Sequence, residues 1–470
     1  MGRWTPWLLL LLLLSAPGCS GRHGREEPRA PRAEAAPQPD RDAGPVAAGP
    51  EQGEVPPGIR AHPPGPPDAE PPGPLDADPP DTAAEETGAA LPDGGRRRVV
   101  IQGAGDYILH TRVHNSARFH ADRDDDPDIP ATAGYSYLIY RVKPALARGD
   151  LNLFNLETPL ATERHSQSGN PPMLNGPPVA AVSLARTGFH VASLANNHAY
   201  DQDLAGVVET RSAAEDAGLL VVGGGADGDQ ARAPVFVERR GVRIGVLAFT
   251  ETVNRTTLVD RTSATVPQVA IWRGDADLET VRSVRRQCDL LVVLFHWGGE
   301  FDLVPNRAQR QIAAALCAEG VDLILGSHSH TLQEVRRLAG PDEGTCVVAY
   351  SLGNFLSNQG LKYRVGWENP DPDRAQGIPY TRDSVILRAT WEDDPEGRLQ
   401  LAALEAVPLW TENNWLDRFG DPDFRNDIYV APLAVSMADP ARAARYDALY
   451  RERLAEIRRA LGDEVTLVDP

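Results

Sequence analysis

The sequence predicts a layered α/β fold with two mixed sheets flanked by helices, preceded by a disordered tether. Three observations lead to this prediction. Apolar runs of strand length alternate with helical patterns between residues 98 and 325, an order typical of parallel sheets. From residue 335 to 407, strands follow one another with little helix between them, which favours a second sheet of more antiparallel type. Residues 20–96 contain few aromatic or β-branched side chains and so lack the means to build a core.

Short apolar runs mark the strands, and apolar residues at spacings of three and four mark the helices between them. The predicted strands are 98–103, 151–156, 190–194, 219–222, 234–238, 242–249, 290–295 and 321–325, then the residues around 335, 346–351, 384–391 and 399–407. The predicted helices are 135–146, 179–186, 204–217, 276–287 and 307–318. Gly218 directly follows the third of these helices, at a position suited to a left-handed cap.

A last helix is predicted near the C-terminus. Its apolar stripe, at spacings of four and three, consists of Tyr446, Tyr450, Leu454, Ile457 and Leu461. We expect this stripe to pack on the parent domain, with a dimer or a partner at the cell surface as the alternative. The predicted organisation is a signal peptide at 1–19, a linker at 20–96, a folded domain at 97–410 and a C-terminal extension at 411–470.

The first 19 residues have the pattern of an export signal. Arg3 precedes an unbroken apolar run at residues 8–14, which is too short to span a bilayer, and small residues follow. Cys19 after Ala-Pro-Gly resembles the lipid-modified cysteine of bacterial lipoproteins, although Ala16 stands where that pattern favours an aliphatic residue. The alternative is an ordinary signal cleaved nearby. Lipidation would anchor an exported protein to a membrane of the cell envelope through its N-terminus alone.

The tether at residues 20–96 is rich in Pro, Ala, Gly, Glu and Asp. Such a segment cannot bury enough apolar surface to offset its conformational entropy, and its prolines stiffen it into a spacer. The formal net charge of −19 argues against a nucleic-acid partner, because binding to phosphate backbones requires a basic surface.

Three cysteines, Cys288, Cys317 and Cys346, follow Cys19. Their number is odd, their spacing is unlike that of a metal site, and each lies in or beside an apolar segment. We expect buried thiols rather than a disulfide framework, although one pair could form after export.

Side chains with metal-ligating groups follow five of the predicted strands. They are Asp106, then Asn155 and Glu157, then Asn196, Asn197 and His198, then His296, and finally His328 and His330. Each group alone has a simpler interpretation, such as a helix cap, a turn residue or a buried core histidine. The carboxyl ends of strands in open α/β sheets define the ligand crevice, so we expect the five groups to converge. The mixture of carboxylate, amide and imidazole groups predicts a site for one or two metal ions.

His328 and His330 follow an apolar strand that ends at Gly326. In extended backbone, residues two apart project to the same side, so both rings should reach one point above the sheet edge. Two solvent-facing histidines on a loop are the simpler alternative. The chain contains only 11 His in 470 residues, and the other strand ends carry compatible ligands, which favours a metal site.

Six motifs occur in a fixed order along the folded part of the chain. They are GD at 105–106, NLETP at 155–159, LANNH at 194–198, HWG at 296–298, GSHSH at 326–330 and SLGNF at 351–355. Together they resemble the bacterial poly-γ-glutamate capsule synthesis proteins, whose fold is similar to that of calcineurin-like metallophosphoesterases. The resemblance covers roughly residues 99–407 and implies a metallophosphoesterase-like sandwich.

The resemblance also implies roles for individual residues. Asp106 would bind one metal ion and Glu157 would lie between two. The remaining ligands would be Asn197, His296 and His328 on the second ion, with His330 returning to the first. We expect Mn, Fe or Zn, because mixed nitrogen and oxygen ligands suit these ions better than calcium.

One position departs from the superfamily pattern. Its first motif has a histidine two residues after the aspartate, and here that residue is Ile108. His110 or His114 could substitute. If neither does, one metal position is poorly ligated and a single ion is held tightly.

The resemblance makes His198 the group that protonates a leaving oxygen or stabilises its charge, with a structural cap after Asn197 as the alternative. Asn155 and Asn196 would support the site. Trp297 would be either a pocket wall or simple packing. Asn354 would either orient a site histidine or form a turn.

Three hypotheses for the function follow. The favoured one is an exported metal-dependent hydrolase or transferase that acts on an envelope or capsule polymer, or on its phosphorylated carrier. In such sites cations lower the pKa of water from about 15.7 toward about 7, which generates the attacking hydroxide. The alternatives are a non-catalytic metal-binding subunit of a capsule synthesis or export complex, and a general phosphodiesterase unrelated to capsule.

Overall fold

Two large mixed β-sheets, packed face to face and covered by helices on their outer sides, form most of the described part of the chain in this computed structural model, with two small two-stranded sheets beside them. The structure describes residues 96–121, 132–162, 165–170, 173–259, 265–363, 377–418, 421 and 423–470. The predicted signal peptide, Cys19 and the predicted tether up to residue 95 lie outside the described residues. Within the described part, no helix combines the length and the apolar character needed to cross a membrane.

The strands of the described residues fall mostly where apolar runs predict them. In chain order they are β1 Arg98–Tyr107, β2 Leu151–Leu156, β3 Ser168–Asn170, β4 Met173–Asn175, β5 Val191–Ser193, β6 Leu220–Val222, β7 Gly224–Gly225, β8 Val235–Arg239, β9 Val242–Thr250, β10 Gln268–Val269, β11 Leu290–His296, β12 Leu323–Ser327, β13 Val335–Ala339, β14 Thr345–Ala349, β15 Asp383–Asp393, β16 Leu399–Asn413, β17 Ile428–Pro432 and β18 Thr466–Leu467.

The helices cover the outer faces of the sheets and the C-terminal region. In chain order they are α1 Thr111–His120, α2 Lys143–Leu146, α3 Val179–Thr187, α4 Asp203–Asp216, α5 Gly228–Arg232, α6 Asp275–Arg285, α7 Arg307–Ala318, α8 Trp415–Arg418, α9 Leu433–Ala438 and α10 Pro440–Leu461. Gly218, after α4, has a φ of 90°, so the predicted left-handed cap is confirmed.

The single helix predicted over residues 135–146 is wrong. The structure has two short 3₁₀ turns, Ser136–Leu138 and Tyr140–Val142, followed by the one-turn helix α2. Pro144 lies in the first turn of α2 and has no N–H to continue a helical ladder from the residues before it. The apolar spacing therefore marks buried positions without marking a continuous helix.

The first sheet has the strand order β17-β16-β15-β1-β2-β5-β6, with β18 beside β16. Strands β1, β2, β5 and β6 are parallel to their neighbours. Strands β15, β16 and β17 follow on the other side of β1, each antiparallel to the strand before it. The second sheet has the order β13-β14-β12-β11-β9-β8, parallel in its centre and antiparallel at both edges. The predicted fold class, two mixed sheets flanked by helices, is confirmed.

The predicted division of the strands between the sheets is wrong. We expected the tail strands to build the second sheet, but β15 and β16 return to the first sheet and β15 pairs with β1. Strand β1 is buried along nearly its whole length, so its backbone groups need partners on both edges. The tail strands supply the second edge, and the second sheet begins earlier, at β8.

Successive side chains along a strand belong to two different parts of the hydrophobic core, one on each face of the sheet. In β11, Val292 and Leu294 face the core between the sheets, whereas Leu291, Val293 and Phe295 face the core under α6 and α7. Successive strand residues point to opposite faces, so an all-apolar strand is one that is covered on both sides.

The C-terminal segment is built into the same layers. Strand β16 continues past residue 410 to Asn413, and β17 pairs with it. Helix α10 buries Tyr450, Ile457 and Leu461 in the core between the sheets, which confirms that its apolar stripe packs on the parent domain. Its buried Arg453 lies 3.1 Å from the carboxylate of Asp383.

Cys317 and Cys346 form a disulfide that joins α7 to the second sheet. The expectation of buried thiols is therefore wrong for this pair, and the alternative that one pair forms a disulfide is confirmed. Cys288 is free and half-buried. Sequence spacing gave no sign of the pairing, because α7 and β14 become neighbours only when the second sheet forms.

Candidate metal centre

The predicted site residues converge where parallel strands of both sheets end at the same edge. Asp106 lies near the end of β1, Glu157 directly follows β2, His296 ends β11 and His328 directly follows β12. The end of β1 lies so close to the segment at Gly353 that residue 105 has to be a glycine. A Cβ on Gly105 would lie 1.8 Å from the carbonyl oxygen of Gly353, which instead accepts a hydrogen bond from the Asp106 N–H at 3.0 Å.

Asp106, Glu157 and His330 form the centre of the site. Each offers one ligand atom, and these atoms lie within 4.8 Å of one another. An oxygen of Asp106 is 3.3 Å from Nδ1 of His330, and Oε1 of Glu157 is 3.9 Å from its Nε2. Asp106 and Glu157 are completely buried and His330 nearly so. Two buried carboxylates side by side repel each other unless a cation or a proton separates them.

Asn155 holds the two carboxylates in place. Its Nδ2 donates to Asp106 at 2.8 Å and lies 3.4 Å from Glu157 Oε2. Asn196 in turn lies 3.3 Å from Oδ1 of Asn155 and donates to the carbonyl of Leu156 at 2.9 Å. These two asparagines fix the orientation of the carboxylates and so support the site without the need to bind an ion themselves.

Asn197, His296 and His328 lie next to this centre. The Oδ1 of Asn197 is 2.8 Å from Nε2 of His296, and the His296 and His328 rings are 4.5 Å apart. Oγ of Ser327 lies 2.8 Å from Nδ1 of His296. If Nδ1 donates to this hydroxyl, Nε2 is left as the nitrogen that can bind a metal. The structure thus brings together all six residues to which the resemblance gives a metal-binding role.

The backbone at the two histidines after β12 differs from the prediction. We expected extended backbone, but His328 has a φ of 96° and His330 a φ of 58°. Both values lie in the left-handed region that residues with a Cβ rarely adopt, at a cost of about 1–3 kcal/mol each. The two rings therefore reach the site through a strained turn, with His330 at the carboxylates and His328 against His296.

His198 lies beside the cluster and is oriented by a carboxylate. Its Nδ1 is 2.7 Å from an oxygen of Asp201, which is buried and also accepts the backbone N–H of Leu174 at 2.7 Å. A carboxylate at Nδ1 fixes the Nδ1–H tautomer and leaves Nε2 as the nitrogen that exchanges protons. Asp201 is not among the site residues predicted from the sequence. Its position three residues after His198, in the turn that precedes α4, was the available signal.

His110 and His114 differ in their relation to the site. His110 lies close enough to His330 and His198 that, after burial, they help to lower its pKa to about 3, and its Nδ1 accepts the N–H of Asn358 at 3.1 Å. Nδ1 of His114 instead lies 2.7 Å from the Tyr135 hydroxyl. Of the two candidates for the missing motif histidine, only His110 adjoins the cluster, and its Nδ1 already has a donor.

Asn354 and Trp297 have different roles. Oδ1 of Asn354 lies 3.0 Å from Nδ1 of His330, and its Nδ2 donates to the Thr381 carbonyl at 2.9 Å. Asn354 therefore orients a site histidine. Trp297 is completely buried, stacks on Phe295 and donates from Nε1 to a backbone carbonyl at 2.8 Å, so it packs in the core and does not line the site.

The electrostatics suit a bound cation. Burial, and then the neighbouring Asp106, raise the pKa of Glu157 well above its usual value. Burial lowers the pKa of His296 well below its usual value and that of His328 to about 4, with neighbouring histidines adding to both effects. His296 and His328 are therefore neutral at pH 7, the form in which imidazole binds a metal. A cation would relieve the repulsion between the carboxylates.

Two buried atoms of the site have no hydrogen-bond partner within the part of the chain that the structure describes. They are Oε1 of Glu157 and Nδ1 of His328. A buried polar atom without a partner costs about 1–3 kcal/mol, so such atoms in a well-packed site indicate a missing ligand. Both are of types that bind Mn, Fe or Zn, and the residues present thus fit a divalent transition metal.

Comparison with known proteins identifies the family. Residues 100–359 match the family model "Bacterial capsule synthesis protein PGA_cap". The chain is 27% identical over 280 residues to the PGA biosynthesis protein CapA of Bacillus subtilis, covering 58% of this chain and 67% of the relative. It is 29% identical over 283 residues to the capsule biosynthesis protein CapA of Bacillus anthracis, covering 59% and 62%. The chain thus spans about two thirds of the length of these relatives.

Among solved structures, the Haemophilus influenzae NAD nucleotidase superposes on 80% of this chain and 57% of its own, with a TM-score of 0.38 and 11% identity. The family match is of a different kind, since it covers more than half of the sequence and includes each of the six motifs. The chain therefore belongs to the bacterial capsule synthesis proteins of the PGA_cap family, the poly-γ-glutamate family that its motifs resemble.

Proposed function

We propose that this protein is an exported metal-dependent hydrolase that acts on a capsule or envelope polymer of the poly-γ-glutamate type. One observation carries the proposal: a buried Asp106, Glu157 and His330 cluster lies beside a histidine that a buried carboxylate orients. Structural metal sites are closed by their ligands, whereas catalytic sites combine ligands with a group that can transfer a proton.

The first metal position would be held by Asp106, Glu157 and His330, and the second by Asn197, His296 and His328, with Glu157 between them. A divalent transition metal such as Mn, Fe or Zn would supply Lewis-acid polarisation of a phosphoryl or carbonyl oxygen and would acidify water. The absence of a histidine at Ile108 favours tighter binding at one of the two positions.

The protein's own contribution to turnover would be proton transfer and positioning. Asp201 accepts the Nδ1–H of His198 and so holds the ring with Nε2 available to the leaving atom. Protonation by a positioned histidine is worth roughly 10²- to 10⁴-fold in rate. Asn155 and Asn196 hold the carboxylates of Asp106 and Glu157 in a fixed orientation. A fixed orientation of these groups keeps a bound substrate in the geometry needed for attack.

The polymer assignment rests on the family and on the names of its relatives, which concern PGA and capsule biosynthesis. Either the polymer itself or its phosphorylated carrier would be the substrate, and capsule synthesis or export proteins would be the partners. The buried disulfide supports export, because such bonds persist in oxidising compartments. Lipidation at Cys19 would then place the domain at a membrane on a long tether.

The first experiment measures bound metal in the full chain, then hydrolysis of a chromogenic phosphodiester and of γ-linked glutamyl peptides. Metal together with hydrolysis of the peptides supports the proposal. Hydrolysis of the phosphodiester alone would indicate a general phosphodiesterase. No hydrolysis of either by the metal-replete protein would favour a scaffold, provided that a His198→Gln strain keeps its capsule and a deletion strain loses it.

The second experiment uses His198→Gln and Asp201→Asn. Both variants should retain metal while turnover falls, by roughly 10²- to 10⁴-fold for His198→Gln. A nitrophenolate leaving group needs little protonation, so its hydrolysis should fall less than that of a poor leaving group. Equal losses would make His198 an electrostatic stabiliser or a structural cap. His190→Gln is the matched control, because His190 is a partly buried histidine that accepts the Asn152 N–H at the opposite end of the strands.

A further inference from the structure

A cavity of about 770 Å³ lies in the C-terminal part of the domain, apart from the metal centre. Its walls come from the end of β16, from α10 and from the segments around Leu361 and Arg382. Its lining is strongly polar, with three arginines and four acidic residues: Arg382, Arg442, Arg445, Glu412, Asp417, Asp427 and Asp439. A cavity of this size can hold a small peptide or a segment of a polymer.

The acidic residues of this cavity already have partners. Glu412 pairs with Arg442 at 2.9 Å and also accepts the Tyr450 hydroxyl at 2.7 Å. Asp417 pairs with Arg445 at 2.7 Å. The other two acids also have partners, Asp427 with a tyrosine hydroxyl and a histidine, and Asp439 with the first N–H groups of α10. The carboxylates therefore do not supply the free hydrogen-bonding capacity of the cavity.

Arg382 has the hydrogen-bond donors of this cavity that remain available to a ligand. It is only 6% exposed, its Nε donates to the Thr411 carbonyl at 2.8 Å, and its guanidinium lies 4.2 Å from the centre of the Trp410 ring. Among the described residues, its two Nη groups have no hydrogen-bond acceptor, although Arg382 lines the cavity. Burial lowers the pKa of Arg382 because the charged group has lost water, and Glu412 only partly offsets this effect. A buried guanidinium whose Nη groups lack an acceptor is costly even with the carboxylates of Glu412 and Asp383 nearby, and a bidentate oxyanion is its natural partner.

Arg382 is also connected to the metal centre. The preceding residue, Thr381, accepts Nδ2 of Asn354 at its carbonyl, and the same side chain holds His330 through Oδ1. Thr381 and Asn354 thus connect Arg382 to His330 of the metal centre. A ligand bound at Arg382 would be linked to the metal centre through these two residues. We propose that Arg382 anchors a subsite that binds one carboxylate of a peptide ligand.

The charge balance of the cavity selects a carboxylate over a phosphate. Arg442 and Arg445 pair with Glu412 and Asp417, whereas Asp427 and Asp439 have no arginine partner, so the three arginines and four acids of the lining sum to a formal charge of −1. Arg382 is the arginine of this lining without an ion pair among the described residues, and a singly charged group suits it best. One guanidinium matches a monoanionic carboxylate in a bidentate pair. A dianionic phosphate would place its second charge near Glu412 and Asp417 without a cation to neutralise it. The choice of a glutamyl ligand rests on the proposed function, whereas the preference for a carboxylate rests on the cavity alone.

The experiment measures binding by calorimetry with the full chain. The probes are a γ-linked glutamate tripeptide, the same tripeptide with its carboxylates converted to amides, and inorganic phosphate. We expect the carboxylate peptide to bind and the amide peptide to bind at least about 10-fold more weakly. Arg382→Gln should weaken binding of the carboxylate peptide by about 10- to 100-fold, the range expected for a lost charge-assisted pair.

Arg445→Gln is the matched control, because it removes an arginine of the same cavity that already has a partner. Its affinity should change less than about 3-fold, as is usual for an exposed pair. Equal losses in the two variants, tighter binding of phosphate, or equal binding of the two peptides would each overturn the proposal. If Arg382→Gln does not fold, a crystal structure of the wild type with the tripeptide decides: a carboxylate on the Nη groups of Arg382 supports the subsite, and a peptide bound elsewhere refutes it.

The binding assay also separates this inference from the proposed function. A protein that binds the tripeptide at Arg382 and hydrolyses no substrate would refute hydrolysis and keep the subsite. A protein that hydrolyses glutamyl peptides with the same KM in Arg382→Gln and wild type would keep the function and refute the subsite.

Discussion

The disulfide between Cys317 and Cys346 allows a quantitative test of the fold. Replacing both cysteines with alanine removes a cross-link between residues 29 apart in sequence. In the chain-entropy model, a closed loop of this size restricts the unfolded chain enough to stabilise the fold by about 3–4 kcal/mol. Both sulfurs are buried in the core under α7, so the two alanines also leave a small void that adds to the loss.

The assay is urea unfolding at pH 7, followed by tryptophan fluorescence, for the wild type and the double variant. We expect the unfolding free energy to fall by about 3–5 kcal/mol in the double variant. Cys288→Ala is the matched control, because that thiol is free and half-buried, and it should cost less than about 1 kcal/mol.

Two results would refute this reasoning. The first is a double variant whose unfolding free energy lies within about 0.5 kcal/mol of the wild type, since surface substitutions alone reach that size. The second is chemical titration of thiols at both Cys317 and Cys346 in the unreduced, unfolded protein, which would mean that the bond does not form.

Three further predictions follow from the structure and the sequence. His296→Ala with His328→Ala should strip the protein of transition metal measured by mass spectrometry, and full metal retention would show that the site lies elsewhere. Burial lowers the pKa of His114 and of His190 from 6.5 to about 4. The unfolded chain takes up these protons near pH 6.5 and the folded chain only near pH 4, so the unfolding free energy should fall as the pH drops through this range, by up to about 3 kcal/mol for His114. Urea unfolding at stepped pH values checks this, and a flat profile would contradict it. Deleting residues 21–93 should leave the melting temperature nearly unchanged in calorimetry, whereas a loss of several degrees would mean that this segment packs on the domain.

Much of the fold and of the metal centre follows from local patterns in the sequence. Strand β11 and helix α7 are marked by short-range periodicity, and that information is local. Polar residues at strand ends indicate a site because parallel strands end at one sheet edge, so Asp106, Glu157 and His296 could be grouped without knowing any distance.

What local patterns did not predict depends on long-range contacts. The pairing of β15 with β1 and the bond between Cys317 and Cys346 join segments that meet only after the sheets have formed. The three-residue spacing of His198 and Asp201 allows a contact, but whether the two side chains meet depends on the turn between them. The two Nη groups of Arg382, which have no acceptor in the described part of the chain, are recognised only when the neighbouring acids have been assigned their partners.

The left-handed backbone at His328 and His330 places stability and metal binding in opposition. Glycine adopts this conformation without the steric cost that a Cβ imposes, so replacing either histidine with glycine would relieve about 1–2 kcal/mol of strain while removing a proposed metal ligand. Where this relief exceeds the packing lost with the buried ring, selection for heat resistance alone would favour glycine at these two positions and lose the proposed metal centre, a trade-off between stability and activity. A thermostable variant of this protein has to be selected for retained metal at the same time.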